Sequence, residues 1–162
     1  MSDLLNVDNL TVRFEVKRGG SWGRKSYLYA VDDISFAVKK GETLAIVGES
    51  GSGKTTVGRT LLRLEEATSG SVTFGGTDIL TLPKEDMRKF RKRMQIIFQD
   101  PGGSLNPRMR VGGIISEPLE VHGITKSEDE TRERVGELLV KCGLWKQAAD
   151  RYPHEFSGGQ RQ

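Results

Sequence analysis

The residues best suited to chemistry form one run, Gly48-Glu49-Ser50-Gly51-Ser52-Gly53-Lys54-Thr55, which fits the spacing G-x-x-x-x-G-K-[ST]. Glycines at these positions let the backbone wrap close to an anion, so that successive N–H groups point at a phosphate. A helix starting at the end of the loop adds partial positive charge. Lys54 is expected to reach the β- and γ-phosphates and the Thr55 hydroxyl to bind Mg²⁺, with Thr56 among the residues that hold the nucleotide. The chemistry is therefore binding of a nucleoside triphosphate. GTPases, kinases and transport ATPases all use such a loop, so the motif does not choose among them. A second candidate is Ser157-Gly158-Gly159-Gln160. A serine and two glycines at a predicted helix start again let amides approach an anion. Alone, that run reads equally as an ordinary turn and N-cap.

These groups need elements to hold them. Thr43-Leu44-Ala45-Ile46-Val47 is nearly continuously apolar, which predicts a strand buried on both faces and ended by Gly48. Lys54 to about Leu64 reads as a helix, with Val57, Leu61 and Leu64 at helical spacing. Upstream, Leu10, Val12, Phe14 and Val16 alternate with polar residues, and so do Ile34, Phe36 and Val38, on either side of a break from Gly19-Gly20 through Lys25. Period two predicts two half-buried strands forming an antiparallel arm. Downstream, Val72 and Phe74 start a short strand closed by Gly75-Gly76. Pro83 to Arg93 reads as a helix with proline in its first turn. Met94 to Phe98 is a second buried-strand candidate, running into Gln99-Asp100-Pro101.

The texture then becomes helical. Gly112-Gly113 and Pro118 punctuate the stretch to Val121. A helix begins at Ser127, which has capping-box spacing to Glu130. Val135, Leu138, Leu139 and Cys142 form its apolar face, expected to pack the helical lobe, and Gly143 is its stop. The expected organisation is an arm and phosphate-loop core over 1–104 and a helical subdomain over 105–162.

Composition narrows the class. The 162 residues suit one domain with room for a small second lobe. Hydrophobic residues at 35%, near the ordinary apolar share once the 20 glycines are added, and charged residues at 29%, close to the usual quarter, exclude disorder as a whole-chain reading. No apolar run approaches the ~18 residues of a membrane-spanning helix. The start, Met1 to Leu5, has no signal-peptide pattern. The single cysteine, Cys142, excludes an internal disulfide framework and suits a reducing cytosol. A net charge of +3 does not by itself imply nucleic acid. The basic run Arg88, Lys89, Arg91, Lys92, Arg93 sits beside Glu85 and Asp86 and reads as a solvated helical face. His122 and His154 show no metal-ligand spacing.

With these residues in place, the sequence resembles the ATP-binding subunits of ABC transporters. Gly48 to Thr55 looks like their Walker A motif, Gln99 like their Q-loop glutamine, and Phe156 to Gln160 like their LSGGQ signature with Phe in place of Leu. The resemblance covers essentially the whole chain. Phe98-Gln99-Asp100-Pro101, Ser104-Leu105-Asn106-Pro107-Arg108-Met109, Glu117-Pro118-Leu119 and Ala30 to Phe36 look more narrowly like the dipeptide/oligopeptide importer ATPases. Gly102-Gly103 departs from that pattern, which often carries a bulkier residue and a small one. The fold implied is an α/β P-loop NTPase core of the ABC ATPase type, partial, with an N-terminal β-arm and a helical subdomain.

The resemblance implies two ATPs held between two subunits, each contacted by the phosphate loop of one and the Ser157 to Gln160 signature of the other. Gln99 would sense Mg²⁺ and the γ-phosphate and couple them to transmembrane permease subunits, the solute being delivered by a substrate-binding protein. Trp22 and Tyr27 are the candidates for stacking on adenine. Location would be peripheral, on the cytoplasmic face of the membrane, with attachment near Gln99 to Pro118. Family ATPases continue past the signature to a Walker B carboxylate pair and a switch histidine, whereas this sequence ends at Gln162. The expectation is that this polypeptide alone binds ATP but turns it over poorly, with exposed apolar sheet edges and marginal stability. The alternatives are an importer ATPase for nickel or another solute, a binding-only module, and a soluble non-transport ABC ATPase acting on ribosomes or DNA.

Overall fold

The computed structural model describes residues 3–16 and 26–162. Two compact units divide the chain, Met1–Gln95 and Ile96–Gln162. In the first, β1 (Leu5–Val16) and β2 (Ser26–Val38) form the antiparallel arm that the alternating residues predict. β3 (Ser69–Phe74) pairs with the other edge of β1, and β4 (Thr77–Asp78) follows, giving the order β2-β1-β3-β4. Val7, Leu10 and Val72 from this sheet, with Ile79 and Met87, make the buried core. The register of the arm shifts between Val7 and Leu10. Asn9 and Asp33 both have positive φ, at 48° and 49°, and the Asn9 side-chain amide donates to Asp33 Oδ1 at 2.8 Å. Gly70 crosses at the same point, where a β-carbon would sit 2.5 Å from the Asn9 carbonyl oxygen, so only glycine fits.

α1 (Lys54–Leu61) packs Val57 against Val12 and Val31 of the arm. α2 (Lys84–Phe90) starts after Pro83, which caps it rather than occupying its first turn, and runs into a 3₁₀ turn, Arg91–Arg93. The basic run here is only partly a solvated face. The Arg93 guanidinium lies over Phe74 and Phe90, 5.2 and 4.9 Å from their ring centres, and Arg91 bonds to backbone carbonyls. Lys89 faces solvent beside Asp86.

In the second unit, α3 (Pro101–Ser104) is one turn capped by the Asp100 carboxylate, which accepts from the Gly103 N–H. α4 (Val111–Val121) and α5 (Glu128–Lys141) are the main helices, and the one-turn α6 (Gly158–Arg161) follows. Leu119, Val135, Leu139, Ala148 and Phe156 form their core. Ser127 Oγ accepts from the Glu130 N–H at 3.2 Å, and Gly143 ends α5 at φ 80°, both as the sequence predicts.

Four expectations fail. Residues 43–47 and 94–98 form no strand; they join no ladder among the described residues, and Val47 and Ile97 are 87% and 92% exposed. An apolar run is extended readily, but a strand exists only where a neighbour accepts its hydrogen bonds. Cys142 is exposed at the C-cap of α5 instead of packed on its apolar face. α1 stops at Leu61, because Arg63 turns the chain out of the helix, leaving Leu64 exposed.

Candidate functional site

The phosphate loop is built by its glycines and by the arm beneath it. Gly51 and Gly53 have φ of 82° and 90°, a region that side chains with a β-carbon avoid. Gly53 is also the N-cap of α1, and a β-carbon there would collide with the Ala30 carbonyl oxygen of β2. The loop is thereby seated on the arm. At its other end, a β-carbon on Gly48 would lie 2.6 Å from Ser52 Oγ, so the loop closes on itself. The Ser52 N–H donates to the Glu49 carbonyl at 3.2 Å, which completes the turn.

Lys54 points back across this turn. Its ammonium donates to the carbonyl oxygens of Gly48 and Glu49 at 2.8 and 2.6 Å, with Ser52 Oγ at 3.3 Å. The cation therefore sits inside the loop, where anionic oxygens would be neutralised most strongly. Thr55 is exposed and Thr56 half-buried at the first turn of α1. The first-turn N–H groups of α1 have no side-chain cap acceptor, so they are free donors for an anion. Gly48 to Thr56 thus come together in one segment of the first unit. Ser50 and Glu49 contribute backbone and lie exposed.

The remaining predicted residues belong to the second unit. Gln99 is exposed at a bend just before α3. The Ser157 run begins α6 with a reciprocal capping box. Ser157 Oγ accepts from the Gln160 N–H at 3.4 Å, and Gln160 Oε1 accepts from the Ser157 N–H at 3.0 Å. Gly158 and Gly159 are open to solvent, with nothing within 4 Å of where a β-carbon would be. Phe156, 6% exposed, stacks on Trp145 at 6.2 Å between ring centres and holds the run to the helical core. Arg161 ties it down from behind, its Nε donating to the carbonyls of Pro153 and Phe156 at 3.0 and 3.1 Å. Neither Trp145 nor Arg161 is signalled by any motif. Phe156 and Arg161 hold the glycines' backbone in a fixed, exposed place.

Of the aromatic candidates, Trp22 lies outside the described residues, and Tyr27 carries the Arg13 guanidinium 4.4 Å from its ring centre. His154 stacks on Tyr152, and no group of three metal-ligating side chains occurs among the described residues.

The chain is similar to known proteins over nearly its whole length. Residues 31–162 match the ABC transporter family model. The chain is 49% identical over 160 residues to the oligopeptide transport ATP-binding protein OppF of Bacillus subtilis (strain 168), covering 98% of this chain and 50% of that protein. It is 45% identical over 161 residues to the protein of the same name from Escherichia coli (strain K12), covering 98% and 48%. The chain spans about half the length of these curated relatives. Among solved structures, the dimeric post-hydrolysis state of the ATP-binding cassette MJ0796 bound to ADP and Pi superposes with a TM-score of 0.77 at 28% identity, over 97% of this chain and 65% of that one.

Proposed function

This chain belongs to the ABC transporter family, and on that premise we propose that it is the ATP-binding part of an importer for dipeptides or oligopeptides. The observation that carries the reading is the loop from Gly48 to Thr56, whose glycines and lysine form a preorganised anion cradle seated on β2. The backbone N–H groups of the loop and of the first turn of α1 would hold the β-phosphate. Lys54 would exchange its carbonyl partners for phosphate oxygens, and Thr55 Oγ1 would be the Mg²⁺ ligand that this unit supplies. The ion would neutralise charge as the terminal phosphate is transferred.

For the base, the arm offers Phe14. Val12 packs on Val57 at the start of α1, and Phe14 is the next residue on that face of β1, 40% exposed. An adenine ring stacked there would lie beyond the phosphate loop on the same strand that buttresses it.

The Ser157 to Gln160 run would serve a second nucleotide, held by another ATP-binding subunit. Its glycines are open and its backbone fixed, which suits a surface presented to a partner. Gln99 would link nucleotide state to permease subunits. Attachment would be peripheral, at the cytoplasmic face, a reading supported by the transport relatives; no helix of the described residues is long and apolar enough to cross a membrane. A peptide solute is supported by the oligopeptide-transport relatives. Titration with a fluorescent ATP analogue, with and without Mg²⁺, beside a phosphate-release assay, tests the reading. Saturable, Mg²⁺-strengthened binding is expected, and its absence on folded protein would overturn it.

A further inference from the structure

Three helices end in one hydrogen-bond pattern, and one of them does so without the glycine it favours. α4 closes with the Gly123 N–H donating to the Glu120 carbonyl at 2.9 Å and that of Ile124 to Leu119 at 2.8 Å. α5 closes with Gly143 to Val140 at 3.0 Å and Leu144 to Leu139 at 2.9 Å. Both glycines have positive φ, 59° and 80°, which this C-terminal motif demands. α1 closes identically, with Arg63 to Thr60 and Leu64 to Arg59, each at 2.9 Å. Its residue at the left-handed position is Arg63, at φ 51°, where a β-carbon is disfavoured.

The side chain is what a glycine there would lack. Arg63 Nη1 donates to the carbonyl oxygens of Ile79 and Leu82 at 3.1 and 2.5 Å. From the other side, Arg91 donates through Nε to the Leu62 carbonyl and through Nη2 to that of Arg63, both at 3.1 Å. Those carbonyls leave the helix end without intrahelical donors. Both guanidinium groups also stand at the negative end of the helix dipole. The helix treated this way is the one that begins with Lys54 and Thr55.

We propose that Arg63 and Arg91 are positioning residues for the nucleotide site, a double guanidinium clamp that fixes the far end of α1 and thereby the phosphate loop at its near end. The inference rests on reading that loop as the nucleotide site. α1 has only eight residues, about 12 Å of helix. It buries just Val57 and Thr60, so packing alone resists axial shift weakly. A phosphate drawn into the loop pulls along the helix axis, and the clamp opposes that pull where α1 meets the segments holding Ile79, Leu82 and Arg91.

Arg63→Gly separates positioning from fold, because it keeps the C-terminal turn in its favoured conformation while deleting the tether. Its melting midpoint is expected within about 4 °C of the parent. Its dissociation constant for a fluorescent Mg-ATP analogue should rise roughly threefold to tenfold, the range for substitutions acting through a packed network. Nucleotide-dependent hydrogen-exchange protection over residues 49–56 should fall with it. Arg63→Lys, which keeps a cationic donor on a side chain one bond shorter, should restore part of the affinity, and Arg91→Lys, which retains one donor group, should likewise lose less than Arg63→Gly. Unchanged affinity and protection in Arg63→Gly, with the parent binding normally, overturns the clamp alone. A parent that binds no Mg-ATP overturns the nucleotide reading, and the clamp with it. Loss of affinity matched by an equal loss in Arg63→Lys would also count against positioning.

Discussion

Gly53→Ala is the sharpest probe of how the arm supports the phosphate loop, because Gly51→Ala supplies a matched control on the same turn. Both glycines have similar positive φ, 90° and 82°, so both substitutions bear a comparable conformational cost of about 1–2 kcal/mol. They differ in surroundings. A β-carbon on Gly51 meets nothing within 4 Å, whereas one on Gly53 runs into the Ala30 carbonyl of β2. Backbone atoms cannot swing aside as a flexible side chain does. Relief requires lifting the loop from the arm or moving β2, an overpacking cost of about 1–3 kcal/mol more. Gly53→Ala is thus expected to be destabilised by about 2–5 kcal/mol in total, against about 1–2 for Gly51→Ala. Urea unfolding followed by circular dichroism reads the difference, and analogue titration reads the loop, where Gly53→Ala should lose more affinity than Gly51→Ala. Equal unfolding midpoints for the two variants would refute the seating of the loop on Ala30.

Further tests bear on other parts of the molecule. Lys54→Ala removes a charge-assisted contact worth about 1.5–3 kcal/mol, so nucleotide affinity should drop about tenfold or more in the same titration. Phe156→Ala deletes a buried ring stacked on Trp145 and should cost about 3–5 kcal/mol, seen as loss of the second unit's helical signal at lower urea. Ser157→Ala, which removes the cap of α6, should cost only about 1 kcal/mol by the same measurement. Cys142 should react with a maleimide in the native protein at a rate close to that in urea, since it is exposed at the end of α5.

The parts legible in sequence were those whose cause is local. The start of α1 at Lys54, the Ser127 cap and the Gly143 stop depend on residues within one turn of each other, and the structure has them where the spacing put them. Alternation told the arm's strands apart because each has one polar face. Residues 43–47 and 94–98 were misread because apolar continuity describes what a segment tolerates and says nothing about which neighbour pairs with it. Arg91 and Arg93 looked like surface charge because their partners, the carbonyls of Leu62 and Arg63 and the rings of Phe74 and Phe90, are distant in sequence or carry no charge. Cys142 fell on the right helical face one residue too late, at the point where α5 ends.

The order β2-β1-β3-β4 has a consequence for synthesis on the ribosome. Of these four strands the earliest made, β1, is an interior one, and its second neighbour emerges only when Phe74 does. At ordinary elongation rates, about 5–20 residues per second, one side of β1 waits about 3–12 s beyond the translation of Val16. The waiting edge includes Asn6 and Asp8, which later pair with Thr73 and Ser71, and the Asp8 carboxylate places a charge beside it that discourages pairing with other nascent chains.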